Sequence, residues 1–112
     1  MKTEVRHEKD ITIVAVDGDV DALTAPNLAR AIVDQIAEGH VYLVIDLIGV
    51  EFMSSSGLLT LFDAVKETRS HGGDLRVITK DPNIDNVLKI SGFTNVARVF
   101  TSEADALAEF GA

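Results

Sequence analysis

Cysteine is absent from the 112-residue sequence, and with it go disulfides, thiolate metal sites and cysteine nucleophiles. No apolar run approaches the roughly 18 residues that a membrane-spanning helix needs. The amino-terminal MKTEVRHEKD is charged and has no apolar signal core, which predicts a soluble, cytoplasmic chain with no membrane partner. Basic residues are few: 10 against 18 acidic, for a formal net charge of −8. Such a surface repels nucleic acid and anionic lipid and suits a partner with a basic face. There are three histidines, His7, His40 and His71, and no motif ties any of them to a candidate nucleophile. Repeats, low-complexity stretches and interdomain linkers are missing too, so residues 1–112 are expected to form one domain.

What is present suffices for a core. The hydrophobic fraction is 46%, and a chain of this length buries roughly 65% of the surface its unfolded form exposes. Strand and helix periods alternate. ITIVAVDG (Ile11 to Gly18) reads as a buried strand closed by glycine, with TEVRHE before it as an edge strand. TAPNLARAIVDQIAEGH reads as a helix with Thr24 as N-cap, Pro26 in its first turn, and Leu28, Ile32 and Ile36 on one face. VYLVIDL (Val41 to Leu47) is nearly all apolar, the pattern of a central strand covered on both faces. Leu58, Leu61, Phe62 and Val65 then repeat at i, i+3, i+4, i+7, and the helix they mark stops at HGG. DLRVIT is a further strand, PNIDNVLKISG a short helix with Ile84, Val87 and Leu88 inward, VARVF a last strand, and SEADALAEF a helix capped at Ser102. The expected fold is α/β: a mixed four- to five-stranded sheet with about four helices.

Between the central strand and the second long helix stands FMSSSGLL, with Ser54, Ser55, Ser56 and Gly57 at the joint. A helix start leaves backbone N–H groups without internal partners, so one serine is a natural cap and the terminus welcomes an anion. No acidic side chain occupies that first turn. The residues alone leave three readings open: a cap with two loop-satisfying neighbours, a hydroxyl that accepts a phosphoryl group, or a catalytic serine. The last needs a base, and the Gly-x-Ser-x-Gly elbow is missing, so no enzyme is expected, and no metal or other cofactor. Leu58 and Leu59 are either core or an apolar anchor for a partner. Asp19 and Asp21 read as turn residues, Ser91 and Gly92 as a helix end, and Asp46 as an acceptor for loop N–H groups.

Three segments resemble one family, the STAS domains, and within it the bacterial anti-sigma factor antagonists. Asp46-Leu47 followed by Phe52-Met53-Ser54-Ser55-Ser56-Gly57-Leu58 is similar to the family's Asp-Leu, loop, Phe-(Ile/Met)-Asp-Ser-(Ser/Thr)-Gly-Leu pattern. GDVDALTAP and LKISGF resemble two further family segments, in the expected order. The resemblance implies that Ser55 is the phosphoacceptor of an anti-sigma factor serine kinase. It implies that the unphosphorylated chain binds that kinase and frees a sigma factor, and that a serine phosphatase resets the switch. It places Asp19, Asp21, Thr24, Ser54, Ser56, Gly57, Leu58, Ser91 and Gly92 on the docking face, in a monomer or weak dimer. One departure stands out: Ser54 replaces the family's usual Asp. That departure supports an alternative, a non-phosphorylated scaffold subunit of a signalling or transport assembly.

Overall fold

The computed structural model describes residues 1–111. Its strands are β1 (Lys2–Glu8), β2 (Ile11–Asp17), β3 (Tyr42–Gly49), β4 (Asp74–Ile78) and β5 (Arg98–Phe100). Its helices are α1 (Ala25–Ala37), α2 (Ser55–Ser70), α3 (Pro82–Ile90) and α4 (Glu103–Gly111), with a short 3-10 turn at Phe93–Asn95. The strands form one sheet in sequence order, β1 antiparallel to β2 and the rest parallel. This is the mixed α/β sheet expected from the alternating periods.

That order explains where the helices lie. Each parallel connection steps one strand in the same direction, and right-handed crossovers taken in one direction keep their helices on one face. Leu28 and Ile32 of α1, Leu61 and Val65 of α2 and Ile84 and Leu88 of α3 accordingly share a core with Val14, Leu43, Ile45 and Val77. Among the described residues the opposite face is covered by α4 alone, through Ala106 against Ile13, Val44 and Ile78. Successive residues of β3 therefore alternate between the two cores, which is why that strand tolerates so few polar side chains. Ser102 caps α4 as expected, its Oγ accepting the Asp105 N–H at 3.2 Å.

Some boundaries differ from expectation. The last strand begins at Arg98, not Val96, because the chain from Phe93 curls into the 3-10 turn and leaves Val96 exposed. Val87 is only half-buried, while Ile84 and Leu88 carry the core contact of α3. Thr24 stands at the N-cap position but its side chain caps nothing: its backbone is already helical (φ −99°, ψ −21°). Asp21 performs that task one turn earlier, its Oδ1 accepting the N–H groups of Leu23 and Thr24 at 2.9 and 3.0 Å.

Candidate functional site

Two loops leave the carboxyl ends of neighbouring parallel strands, one from β2 toward α1 and one from β3 toward α2. Beyond the sheet they are stitched once more. The Val20 N–H donates to the Phe52 carbonyl at 3.0 Å, and the Ser54 N–H donates to the Val20 carbonyl at 2.8 Å. Val20 is wholly buried, so the turn bearing Asp19 and Asp21 is pinned beside the serine joint. Nothing local in either segment signals this bridge; it is a pairing between residues more than thirty apart in sequence.

At the joint the three serines part company. Ser54 is extended (φ −78°, ψ 172°), and its Oγ caps α2 by accepting the Gly57 N–H at 3.4 Å. Ser55 and Ser56 are the first two residues of the helix, and both are exposed. Their N–H groups have no partner inside the helix. Neither hydroxyl takes part in a hydrogen bond among the described residues. The first turn of α2 holds no acidic side chain, so the partial positive charge of the terminus, about half an elementary charge, faces outward.

Gly57 is what lets this turn sit so close. A Cβ there would stand 2.7 Å from Val20 Cγ1 and 2.9 Å from Met53 Cγ, inside any real contact. Gly57→Ala sets an overpacking cost of about 1–3 kcal/mol against a helix-propensity gain of about 1 kcal/mol. Because Val20 is stiff and buried, we expect a net loss of about 1–2 kcal/mol, read as a lower denaturant midpoint at unchanged slope. A stabilised variant would show that the two loops are free to separate.

The Asp21 turn is held electrostatically as well. The Thr24 backbone N–H keeps the Asp21 carboxyl below its usual 3.8, with the Thr24 hydroxyl and the Leu23 N–H acting the same way. Thr24 Oγ1 in turn accepts the Asp21 N–H at 2.8 Å and reaches the Asp19 carbonyl at 3.0 Å. The folded value is the lower one. The stabilisation is therefore complete above the unfolded value and disappears as pH falls through the folded one. A carboxyl-carbon NMR titration of Asp21 is expected to show a midpoint below 3.8, with the Leu23 and Thr24 amides following the same curve. A midpoint at the ordinary value would mean that the turn is open in solution.

Around the joint lies an apolar rim. Leu59, one turn on from Ser55 and on the same side of α2, is 60% exposed, Phe52 is 52% exposed, and Leu23 is 87% exposed. The core reading therefore fails for Leu59, which lies off the buried stripe of Gly57, Leu61, Ala64 and Val65. Leu58 is half-buried and packs on the core. Leu23 and Phe52 carry no expectation from the sequence, although an apolar residue inside an Asp-x-x-Thr turn, outside any helical stripe, is a signal that could have found Leu23.

Not every expected site residue gathers here. Ser91 ends α3, its hydroxyl donating to the Leu88 carbonyl and accepting the Phe93 N–H, and Gly92 follows at φ +83°. They connect to α2 through Phe93, whose ring meets Phe62 edge-on at 5.2 Å, two turns beyond Ser55. Asp46 satisfies a loop N–H, that of Ile48, at 2.9 Å. His71 caps the far end of α2, while His7 and His40 stack on each other at 4.5 Å, His40 at the far end of β3 from the joint.

A strand end, a small-residue joint, a serine-capped turn open to an anion and a bridged neighbouring loop make up the candidate site. The chain is 26% identical over 111 residues to the anti-sigma F factor antagonist of Paenibacillus polymyxa, covering 97% of this chain and 94% of that one. It is 31% identical over 93 residues to the anti-sigma-B factor antagonist of Listeria monocytogenes, covering 82% and 81%. The crystal structure of an anti-sigma factor antagonist from Mycobacterium paratuberculosis superposes with a TM-score of 0.90 at 29% identity, covering 97% and 92%. The profile of the STAS domain family matches residues 2–106, and with nearly the whole chain accounted for, the protein belongs to that family.

Proposed function

We propose that this chain is an anti-sigma factor antagonist switched at Ser55. Unmodified, it docks an anti-sigma factor serine kinase over the joint and the rim of Phe52, Leu59 and Leu23, so that a sigma factor is freed. In the modified state, a phosphoryl group on Ser55 breaks that contact. The observation that carries the reading is the Ser55 hydroxyl: exposed, without a hydrogen-bond partner among the described residues, and at the first position of a helix that lacks its own anion. The names of the relatives support the regulatory role.

The chemistry asks little of this chain. Ser55 Oγ attacks the γ-phosphorus of ATP, its proton passes to a base that the kinase supplies, and ADP leaves. Among the described residues no histidine stands at the joint. The helix terminus stabilises the resulting dianion by about 0.3–1 kcal/mol, so the fold accepts it without rearranging. A serine phosphatase removes it.

The test is incubation with a cognate anti-sigma serine kinase and ATP, followed by intact mass and fragment mapping. One phosphate on Ser55 is expected, and none on Ser55→Ala. Label on Ser54 or Ser56 with Ser55 bare refutes the site. No transfer at all, with stable co-purification of another protein, favours the scaffold reading that Ser54 in place of Asp suggests.

A further inference from the structure

β1 is an edge strand: β2 pairs with it on one side, and its other side presents unpaired backbone groups along seven residues. Side chains alternate between the two faces of a strand, which puts Lys2, Glu4, Arg6 and Glu8 on one face and Thr3, Val5 and His7 on the other. Along the charged face the signs read plus, minus, plus, minus.

That series is its own complement when reversed. Laid antiparallel about Val5, a second copy sets its Glu8 opposite Lys2 and its Arg6 opposite Glu4, and the twofold repeats each pair. Val5 meets itself on the other face. Sliding the register by two residues either way brings Glu4 against Glu4 or Arg6 against Arg6, and sliding by one sets charged residues opposite the uncharged face. Parallel pairing in register stacks like charges throughout. One alignment alone satisfies every charge. The opposite edge of the sheet, β5, runs only three residues and offers no comparable surface.

We infer that β1 pairs antiparallel with β1 of a second copy of this chain, joining two five-stranded sheets into one. Arg6 is already engaged by Glu103 and Glu8 of its own chain, but a guanidinium carries five donors and can be shared. Strands on the two sides of the seam run in opposite senses, so the two serine joints lie at opposite ends of the joined sheet. Each dimer can then hold two partners at once.

Sedimentation of the full chain at rising concentration is expected to carry the mass from 12.0 kDa toward twice that value. Glu4→Lys faces Arg6 of the second copy twice, and Arg6→Glu faces Glu4 twice. Either substitution alone is expected to weaken dimerisation about tenfold or more, since each cross-strand pair counts twice. Mixed in equal amounts, the two variants regain opposite charges at every position and are expected to dimerise together. Lys2→Glu mixed with Glu8→Lys makes the same test without touching the Glu103 contact, should Arg6→Glu fail to fold. A wild type that stays at 12.0 kDa at millimolar concentration overturns the inference. So do single variants that dimerise like wild type, or mixtures that do not recover.

Discussion

Phosphorylated on Ser55, the protein is expected to bind its anti-sigma kinase at least a hundredfold more weakly than the unmodified chain, by calorimetry or by competition. The magnitude follows from where the charge lands. A phosphoryl group adds about −1.5 to −2 charges on the proposed docking face, at a position that the exposed Phe52 and Leu59 flank in the sequence. Like charges or an uncompensated anion across an interface cost several kcal/mol, and about 3 kcal/mol is already more than a hundredfold. Ser55→Ala is expected to bind like the unmodified chain and to stay bound in the presence of ATP. Ser55→Asp should fall between, because one carboxylate carries half the charge and fewer acceptors. The fold itself should hardly respond: thermal midpoints of the two forms are expected to agree within a few degrees, since the terminus favours the anion. Equal affinities for the two forms would remove the switch, whatever the mass spectrum says.

Salt separates the two origins of that penalty. Repulsion between exposed charges shrinks once the Debye length falls to about 3 Å near 1 M salt. Desolvation of a covered phosphate does not. A ratio that persists in high salt therefore locates the phosphoryl group beneath the partner, and one that collapses locates it at the rim.

How much of this was visible in the residues depends on the range of the interaction. The apolar run of Val41 to Leu47 announces a central strand because it has helices on both faces to satisfy. The break at Ser54 announces a helix start because capping is decided within three residues. The choice between Asp21 and Thr24 is less legible: both are capping types, and only the backbone angles of Thr24 show that the helix has already begun to wind there. Val96 follows the strand alphabet but is diverted by Gly92, whose left-handed conformation starts the 3-10 turn. The bridge through Val20 is illegible for a different reason. It depends on β2 and β3 being neighbours in the sheet, which no local pattern encodes.

The largest loss of stability is expected at a residue outside the serine joint. Phe93 is wholly buried, follows the left-handed Gly92, and presses its ring edge-on against Phe62 of α2. Truncating a buried phenylalanine costs about 3–5 kcal/mol, of which the ring pair contributes about 0.5–1.5. For a domain of this size Phe93→Ala should lower the thermal midpoint by roughly 15 °C or more, while Phe93→Leu, which keeps most of the volume, should lose much less. The same variant discriminates between two roles for Ser91 and Gly92. The hydroxyl of Ser91 accepts the Phe93 N–H, so these residues serve either to seat Phe93 or to touch the partner directly. Measured well below its thermal midpoint, Phe93→Ala is expected to bind the kinase with near wild-type affinity if seating is their role, because the Val20 bridge fixes Ser55 at the start of α2, two turns from Phe62. A loss of affinity in the folded variant, matched by Ser91→Ala, would instead place this helix end in the contact itself.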